Sequence, residues 1–393
     1  MNTAYFYLTD EGGKLAHKLA TAHPGDIYNK ENFKENLRAG FGKYDSLVCI
    51  MATGIVVRIL APLIVHKTSD PAVVVLDQKG KHAISLLSGH LGGANDLARE
   101  MAAISGGEAV ITTATDVAGE LSFDTFAKKY DMAIENIGQL KHISGALLAG
   151  KKVNVFTNKN AKELYPELAE EQKRGMIDIF SLSDFFKIYI RNKNNTKTED
   201  LNANLRSKNI ITSHIETYNI AVTDDKNVKT TPIMSPSTNI DNIESDIPIV
   251  VIDEGFSLNE CSTIPPSAPI LYLRPHTICA GIGCKRNMEQ KPIEEALLQT
   301  LKEEGLHPLS LKCIATIPLK SDEPGIIGTA ANLNVPLKII PTEEIEKLDI
   351  NQLGIATSEF VASQTGVLSV STACSYLASG KGEILRDKAK YKG

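Results

Sequence analysis

The sequence predicts an α/β protein in which two three-layer α/β domains flank a smaller, variable α/β middle region. Three observations carry this. Short β-branched runs alternate with amphipathic helical patterns over residues 1–130, and the same alternation returns over residues 268–393. Residues 135–255 hold fewer apolar runs, separated by long polar stretches. Strands that alternate with helices build a sheet covered by helices on its faces.

In the first region AYFYLT reads as a strand, followed after Gly12-Gly13 by the helical pattern KLAHKLA. SLVCIMA is a buried strand leading to Gly54 and the helical IVVRILAPLI. AVVVLD and HAISLLS are strands, LAREMAAISG is a helix, and EAVITTATD closes the series. In the middle, KKVNVFT, FFKIYI and PIVVID read as strands. RNKNNTKTEDLNANLRSKN and TDDKNVKTTPIMSPSTNIDNIESD have too little apolar surface to bury and read as loops or disordered segments. The last region opens on ILYLRP and ICAGIG, continues through helical IEEALLQTLKEEG, LKCIATI and LKIIPTEEIEKL, and ends with the helix SVSTACSYL.

At 393 residues the chain is long enough for two or three cores. It has no Trp, only 6% aromatic residues and a net charge of −5, which argues against a generic nucleic-acid binder. No apolar run reaches membrane-spanning length, and the N-terminus lacks a basic leader with an apolar stretch, so the expected location is the cytoplasm. The six cysteines are scattered and indicate no disulfide framework. No CxxC, HExxH or compact His/Cys cluster is present, so neither a protein-held metal nor a bound cofactor is expected.

The stretch SLLSGHLGGANDLAREM holds the first chemical candidates. Gly89, Gly92 and Gly93 let backbone approach a ligand, and Asn95 or Asp96 is positioned to cap the following helix. The turn either holds an anion on its amides with help from Ser88, or only lets strand and helix pack. It lacks the Lys-Ser/Thr of a phosphate loop and the GxGxxG of a dinucleotide site, leaving little support for a nucleotide enzyme. His90 is a proton-transfer candidate, or else structural. Gly54 and Arg58 follow a buried strand, and an arginine in that apolar setting needs either a substrate carboxylate or an internal partner. Asp116 in TTATD is an acid, base or cap, and Asp70 and Asp77 bracket a strand. In GIGCKRN, Gly281 and Gly283 make a flexible strand end, and Cys284 is a candidate nucleophile whose pKa Lys285 and Arg286 would lower. Packing at the turn is the alternative. In ATIPLKSDEPG, Lys320 would meet a carboxylate and Glu323 would act as base, unless the segment with Thr316 and Asp322 is a solvated turn.

Taken together, MATGIVVRILAP, SDPAVVVLD, LLSGHLGGANDLA, ITTATD, GIGCKRN, ATIPLKSDEPG and GVLSVSTACSYLASG resemble the cobalt-precorrin-5A hydrolase family of anaerobic cobalamin biosynthesis. The resemblance spans about residues 1–130 and 268–390. It implies an enzyme that opens the ring A δ-lactone of a cobalt-corrinoid and expels acetaldehyde, the cobalt belonging to the substrate. A non-catalytic corrinoid carrier is the alternative, and transient contacts with neighbouring pathway enzymes are compatible with either. Such a macrocycle is fringed with carboxylates and suits a cleft between α/β domains. The resemblance carries no catalytic residues across; read from the residues themselves, His90 is the first candidate for proton transfer, with Asp116 or Glu323 second. The Gly92-Gly93 amides would stabilise the oxyanion, and the turns Ser88–Ala94 and Gly281–Cys284 would hold carboxylates with Arg58, Lys285, Arg286 and Lys320. Two departures stand out: Thr372 where the family commonly has an acidic residue, and an end at KAKYKG where members continue into a short apolar strand, so the last sheet is expected to be one strand short.

Overall fold

The computed structural model describes residues 2–66, 69–90, 92–114, 119–157, 160–182, 184, 247–255, 268–358, 362–363 and 365–387. The strand read at 185–190 and both polar stretches of the middle region lie outside them. The chain forms two compact units, Met1–Lys128 and Lys129–Gly393, and the α/β class holds in each.

In the first unit the strands are β1 (Thr3–Tyr7), β2 (Asp26–Tyr28), β3 (Ser46–Ile50), β4 (Ala72–Leu76), β5 (His82–Leu87) and β6 (Glu108–Val110). They form one sheet in the order β2-β1-β3-β4-β5-β6. Helices α1 (Asp10–Ala22), α2 (Phe33–Phe41), α3 (Thr53–Leu60) and α4 (Ala94–Ser105) connect them. One sheet face buries Tyr5, Val48, Val74 and Leu76 against Leu15 and Leu19 of α1 and Leu97 and Met101 of α4. The other buries Phe6, Leu47, Cys49, Val73 and Val75 against Leu37 of α2 and Val56, Ile59 and Leu60 of α3. This two-faced burial explains why the strands read as unbroken apolar runs. Each fully buried aliphatic side chain contributes about 1.5–3 kcal/mol.

The pairing of β4 with β5 reverses the chain direction within the sheet. Asp77 ends β4, and its carboxylate accepts from the Lys79 and His82 amides at 2.9 and 2.8 Å, closing a short turn. A connection that short permits only an antiparallel return, so β5 runs against β4 while β6 is parallel to β5. Strand C-termini therefore lie at both ends of the sheet. Leu8–Thr9, Met51–Ala52 and Asp77 follow β1, β3 and β4 at one end, and Ser88 follows β5 at the other, beside the start of β4.

In the second unit β7 (Met132–Ile134), β8 (Val153–Thr157), β9 (Ile177–Phe180), β10 (Ile249–Ile252) and β11 (Ile270–Pro275) form a sheet in the order β7-β11-β10-β8-β9. By sequence ILYLRP groups with the C-terminal region, but as β11 it hydrogen-bonds to β10 and β7. Its Arg274 is fully buried, with Nε 2.8 Å from Glu135 Oε2 and a second nitrogen 3.0 Å from the Asp253 carbonyl. The parallel strands β12 (Ile278–Gly281), β13 (Leu311–Thr316) and β14 (Leu337–Ile339) form a third sheet. Along the chain, helices α5 (Phe123–Lys129), α6 (Leu140–Leu148) and α7 (Pro166–Lys173) come before α8 (Gln290–Glu303) and α9 (Pro324–Asn332), and α8 and α9 supply Ile293, Leu297, Leu301 and Ile326 to one core cluster. Helix α10 (Ser371–Ala378) supplies Ala373 and Cys374 to another. Among the described residues no helix is long and apolar enough to cross a membrane.

Candidate functional site

The turn after β5 is built by sterics. Ser88 takes a left-handed backbone at φ +56°, unusual for a residue with a Cβ, and its hydroxyl donates to the Asp70 carbonyl at 2.9 Å. A Cβ on Gly92 would lie 2.3 Å from the Ser88 Cβ, and one on Gly89 would lie 2.8 Å from Asn95 Oδ1. Gly93, at φ +88°, is the cap residue just ahead of α4.

The expected capping differs. Asn95 and Asp96 do not cap α4, because Gly93 occupies that position without a side-chain bond. Asn95 is buried and spans two segments instead: its Oδ1 accepts from Ser85 Oγ at 2.6 Å and its amide donates to Thr113 Oγ1 at 3.1 Å. The anion nest differs too. The Gly93, Ala94 and Asn95 amides donate to the carbonyls of His90, Ser88 and Gly89 at 3.0, 3.1 and 3.0 Å. These donors hold the turn together, which removes Gly93 as an oxyanion donor and leaves Gly92 of the expected pair.

His90 sits in this turn with its side chain 12% exposed. Its Nδ1 lies 3.2 Å from Asp124 Oδ2 and 3.3 Å from Ser122 Oγ. Ser122 Oγ also donates to Asp124 Oδ1, which accepts from the Thr125 amide at 3.0 Å. Burial works against ionisation of Asp124, but His90, Ser122 and the Thr125 amide outweigh it and hold the carboxyl below its ordinary range. Asp124 lies in α5 (Phe123–Lys129) and does not stand out in the sequence. The only local signal is the polar Ser-x-Asp ahead of an apolar helix, and nothing local ties it to a histidine 34 residues earlier. Asp116 lies outside the described residues.

At the opposite end of the same sheet's strands, Thr9, Met51, Thr53, Ile55, Asp77 and Ile84 line part of a cleft of about 550 Å³. Gly54 and Arg58 lie on α3, and both are exposed. Arg58 is thus neither in an apolar setting nor in an internal ion pair; its guanidinium turns back to the Gly54 carbonyl at 2.9 Å. Asp70 caps the preceding loop by accepting from the Val65 amide at 3.0 Å.

In the second unit Gly281 is a packing residue: a Cβ there would lie 1.7 Å from the Ser371 carbonyl oxygen. Gly283 and Lys285 are exposed. Glu323 is 1% exposed and joins two loops, accepting from Lys320 Nζ at 3.0 Å and from the Asn287 amide at 2.9 Å. Arg286 lies 2.7 Å from Asp322 and 3.3 Å from Glu323. SDEPG is thus more than a solvated turn. Burial opposes ionisation of Glu323, yet Lys320, the Asn287 amide and Arg286 hold its carboxyl below the ordinary range. That is the reverse of what a base near neutrality needs. The Cys284 thiol also moves against expectation: burial, then Glu323, pushes it up, and the cations offset this only in part. Thr316 donates to the Ile282 carbonyl at 2.8 Å, and Thr372 donates to Asp387 at 2.7 Å.

Among the described residues no group of three or more His, Cys, Asp or Glu side chains is arranged to hold a metal. The structure therefore brings together His90, Ser88, Gly89, Gly92, Gly93 and Asn95 in one turn, and Cys284, Arg286, Lys320 and Glu323 in one cluster.

Comparison with known proteins gives matches along most of the chain. The family models described as cobalamin synthesis G N-terminal, cobalamin biosynthesis central region and cobalamin synthesis G C-terminus match residues 35–116, 121–231 and 278–393. A cobalt-precorrin-5A hydrolase of Salmonella typhimurium is 30% identical over 99% of this chain and 95% of its own length. One of Priestia megaterium is 27% identical over 86% of this chain and 74% of its own.

Proposed function

The chain belongs to the cobalt-precorrin-5A hydrolase family, and on that premise we propose that it opens the ring A δ-lactone of cobalt-precorrin-5A and releases acetaldehyde, giving cobalt-precorrin-5B. The observation that carries the catalytic half of this reading is the buried contact between His90 and Asp124 at a glycine-shaped turn. Of the two turns, after β5 and after β12, it is the one that presents a histidine backed by an ionised carboxylate.

His90 takes a proton from water as the water oxygen adds to the lactone carbonyl. The Gly92 amide donates to the oxygen on which charge develops. Collapse of the adduct breaks the ring C–O bond, and the leaving oxygen regains a proton to become a secondary alcohol. His90 then accepts that hydroxyl proton while the carbon–carbon bond breaks and the two-carbon unit leaves as acetaldehyde. The electron pair passes into the conjugated macrocycle, and the ring carbon that lost its substituent is reprotonated. One water enters, one acetaldehyde leaves and one carboxyl group remains. Arg58, exposed on α3 of the unit that bears His90, meets a carboxylate of the substrate, and the cobalt arrives as part of it.

The test is an anaerobic incubation of the full chain with cobalt-precorrin-5A, following acetaldehyde and product mass. The reading requires stoichiometric acetaldehyde. A spectral change on binding with unchanged corrinoid mass would overturn it in favour of a carrier.

A further inference from the structure

We infer that Asp124 and Ser122 lock His90 in the tautomer protonated on Nδ1, so that Nε2 is the atom that exchanges protons; Asp124 is then a positioning residue for the proposed reaction. The assignment comes from counting protons. An ionised carboxylate only accepts hydrogen bonds, and a serine hydroxyl has one proton to give. Ser122 directs its proton to Asp124 Oδ1. Nothing on Asp124 can donate to His90, and Ser122 has spent its only hydrogen. The ring nitrogen that lies 3.2 Å from Asp124 Oδ2 and 3.3 Å from Ser122 Oγ must therefore carry the hydrogen itself. In neutral imidazole the other nitrogen then holds the lone pair.

The surroundings keep this arrangement in place. Asp124 is 6% exposed, and its Oδ1 is further occupied by the Thr125 amide. The carboxylate is therefore fixed by the first turn of its own helix before it meets the imidazole. A buried anion beside Nδ1 also stabilises the imidazolium that forms when Nε2 takes a proton, the logic by which a third group orients a catalytic base. The pairing rests on backbone on both sides, His90 on the Ser88–Gly93 turn and Asp124 on the start of α5, so it exists without substrate.

The inference rests on the reading of His90 as proton carrier, and the experiment separates the two. Nitrogen chemical shifts of the imidazole in the full-length protein labelled with 15N-histidine, assigned by loss of the signal in H90A, report the tautomer without any turnover. The expected spectrum of neutral His90 has a pyrrole-like Nδ1 and a pyridine-like Nε2. In D124N the carboxamide can donate to Nδ1, so the preference should reverse, and turnover should fall by roughly 10⁴-fold, as when a triad aspartate is replaced this way. S122A keeps the carboxylate, should keep the tautomer, and should lose far less turnover. A pyridine-like Nδ1 in the wild type, or D124N with an unchanged tautomer and unchanged rate-against-pH profile, overturns the inference. If the spectrum is as expected but H90A releases acetaldehyde at the wild-type rate, the tautomer lock stands and the catalytic reading of His90 falls.

Discussion

Two glycine-bearing turns follow strands in this protein, Ser88–Gly93 after β5 and Ile282–Asn287 after β12, and they treat charge in opposite ways. The second turn spends its cations. Arg286 is held by Asp322 and Glu323, Lys320 by Glu323, and Glu323 by the Asn287 amide as well, leaving Lys285 exposed. The first turn spends its backbone amides on its own carbonyls and places one titratable ring against one buried carboxylate. Similar composition thus yields a structural clamp in one place and a candidate proton-transfer pair in the other. What separates them is where the carboxylates lie: on α5 beside an imidazole, or at the start of α9 beside an ammonium.

The largest expected effect that tests this contrast is H90A. General acid–base groups contribute about 10²–10⁴-fold, so acetaldehyde release should fall by that range in protein that remains folded. A normal rate would erase the distinction between the turns. Next is K320M. Removing one partner of a buried ion pair costs about 3–5 kcal/mol because the other charge is left behind, and K320M/E323Q should recover much of the loss. Urea unfolding measures both, and a stable K320M would show that the cluster is not a clamp. Gly281→Ala should destabilise by at least the roughly 1–3 kcal/mol typical of overpacking, because its Cβ would collide with the Ser371 carbonyl.

Acid should act in two stages. His307 is held low by burial and by Arg274, against the pull of Glu135. The unfolded chain then binds this proton first, so the His307 contribution is intact above about pH 6.5 and is lost as pH falls through the lowered folded value. Asp124 and Glu323 are also held low. Their contributions are present above the unfolded carboxyl values of about 4 and disappear as pH falls through the folded ones. Urea midpoints against pH should show both stages, and H307Q should remove the first alone. The smallest effect concerns Cys284, whose raised thiol should alkylate more slowly near neutral pH than an unperturbed cysteine. Faster alkylation would restore it as a candidate nucleophile.

Much of the fold was legible because burial on both sheet faces writes itself as uninterrupted apolar runs. Cys49 and Val75, for example, lie in strands read directly from SLVCIMA and AVVVLD. The sheet membership of ILYLRP was not legible, since a strand's neighbours depend on partners such as Glu135, 139 residues from Arg274. At the candidate site, the glycines and His90 stood out as one local word. Asp124 did not, because its link to His90 exists only once α5 folds. Arg58 misled for a related reason: hydropathy around a residue says nothing about which helix face it occupies.

The reversal at Asp77 also bears on how the first unit assembles. Pairing β4 with β5 needs only the short Asp77–Lys81 turn to close, and hairpins form in about 1–10 μs. Parallel neighbours such as β1 and β3 must wait for an intervening crossover, and late loop closure is what slows chains rich in distant contacts. The β4–β5 hairpin can therefore precede the rest of the sheet, carrying Ser88 into register with Asp70 at its far end. On this account the segment that bears His90 is anchored early, and the acidic partner on α5, 34 residues farther along the chain, joins after it.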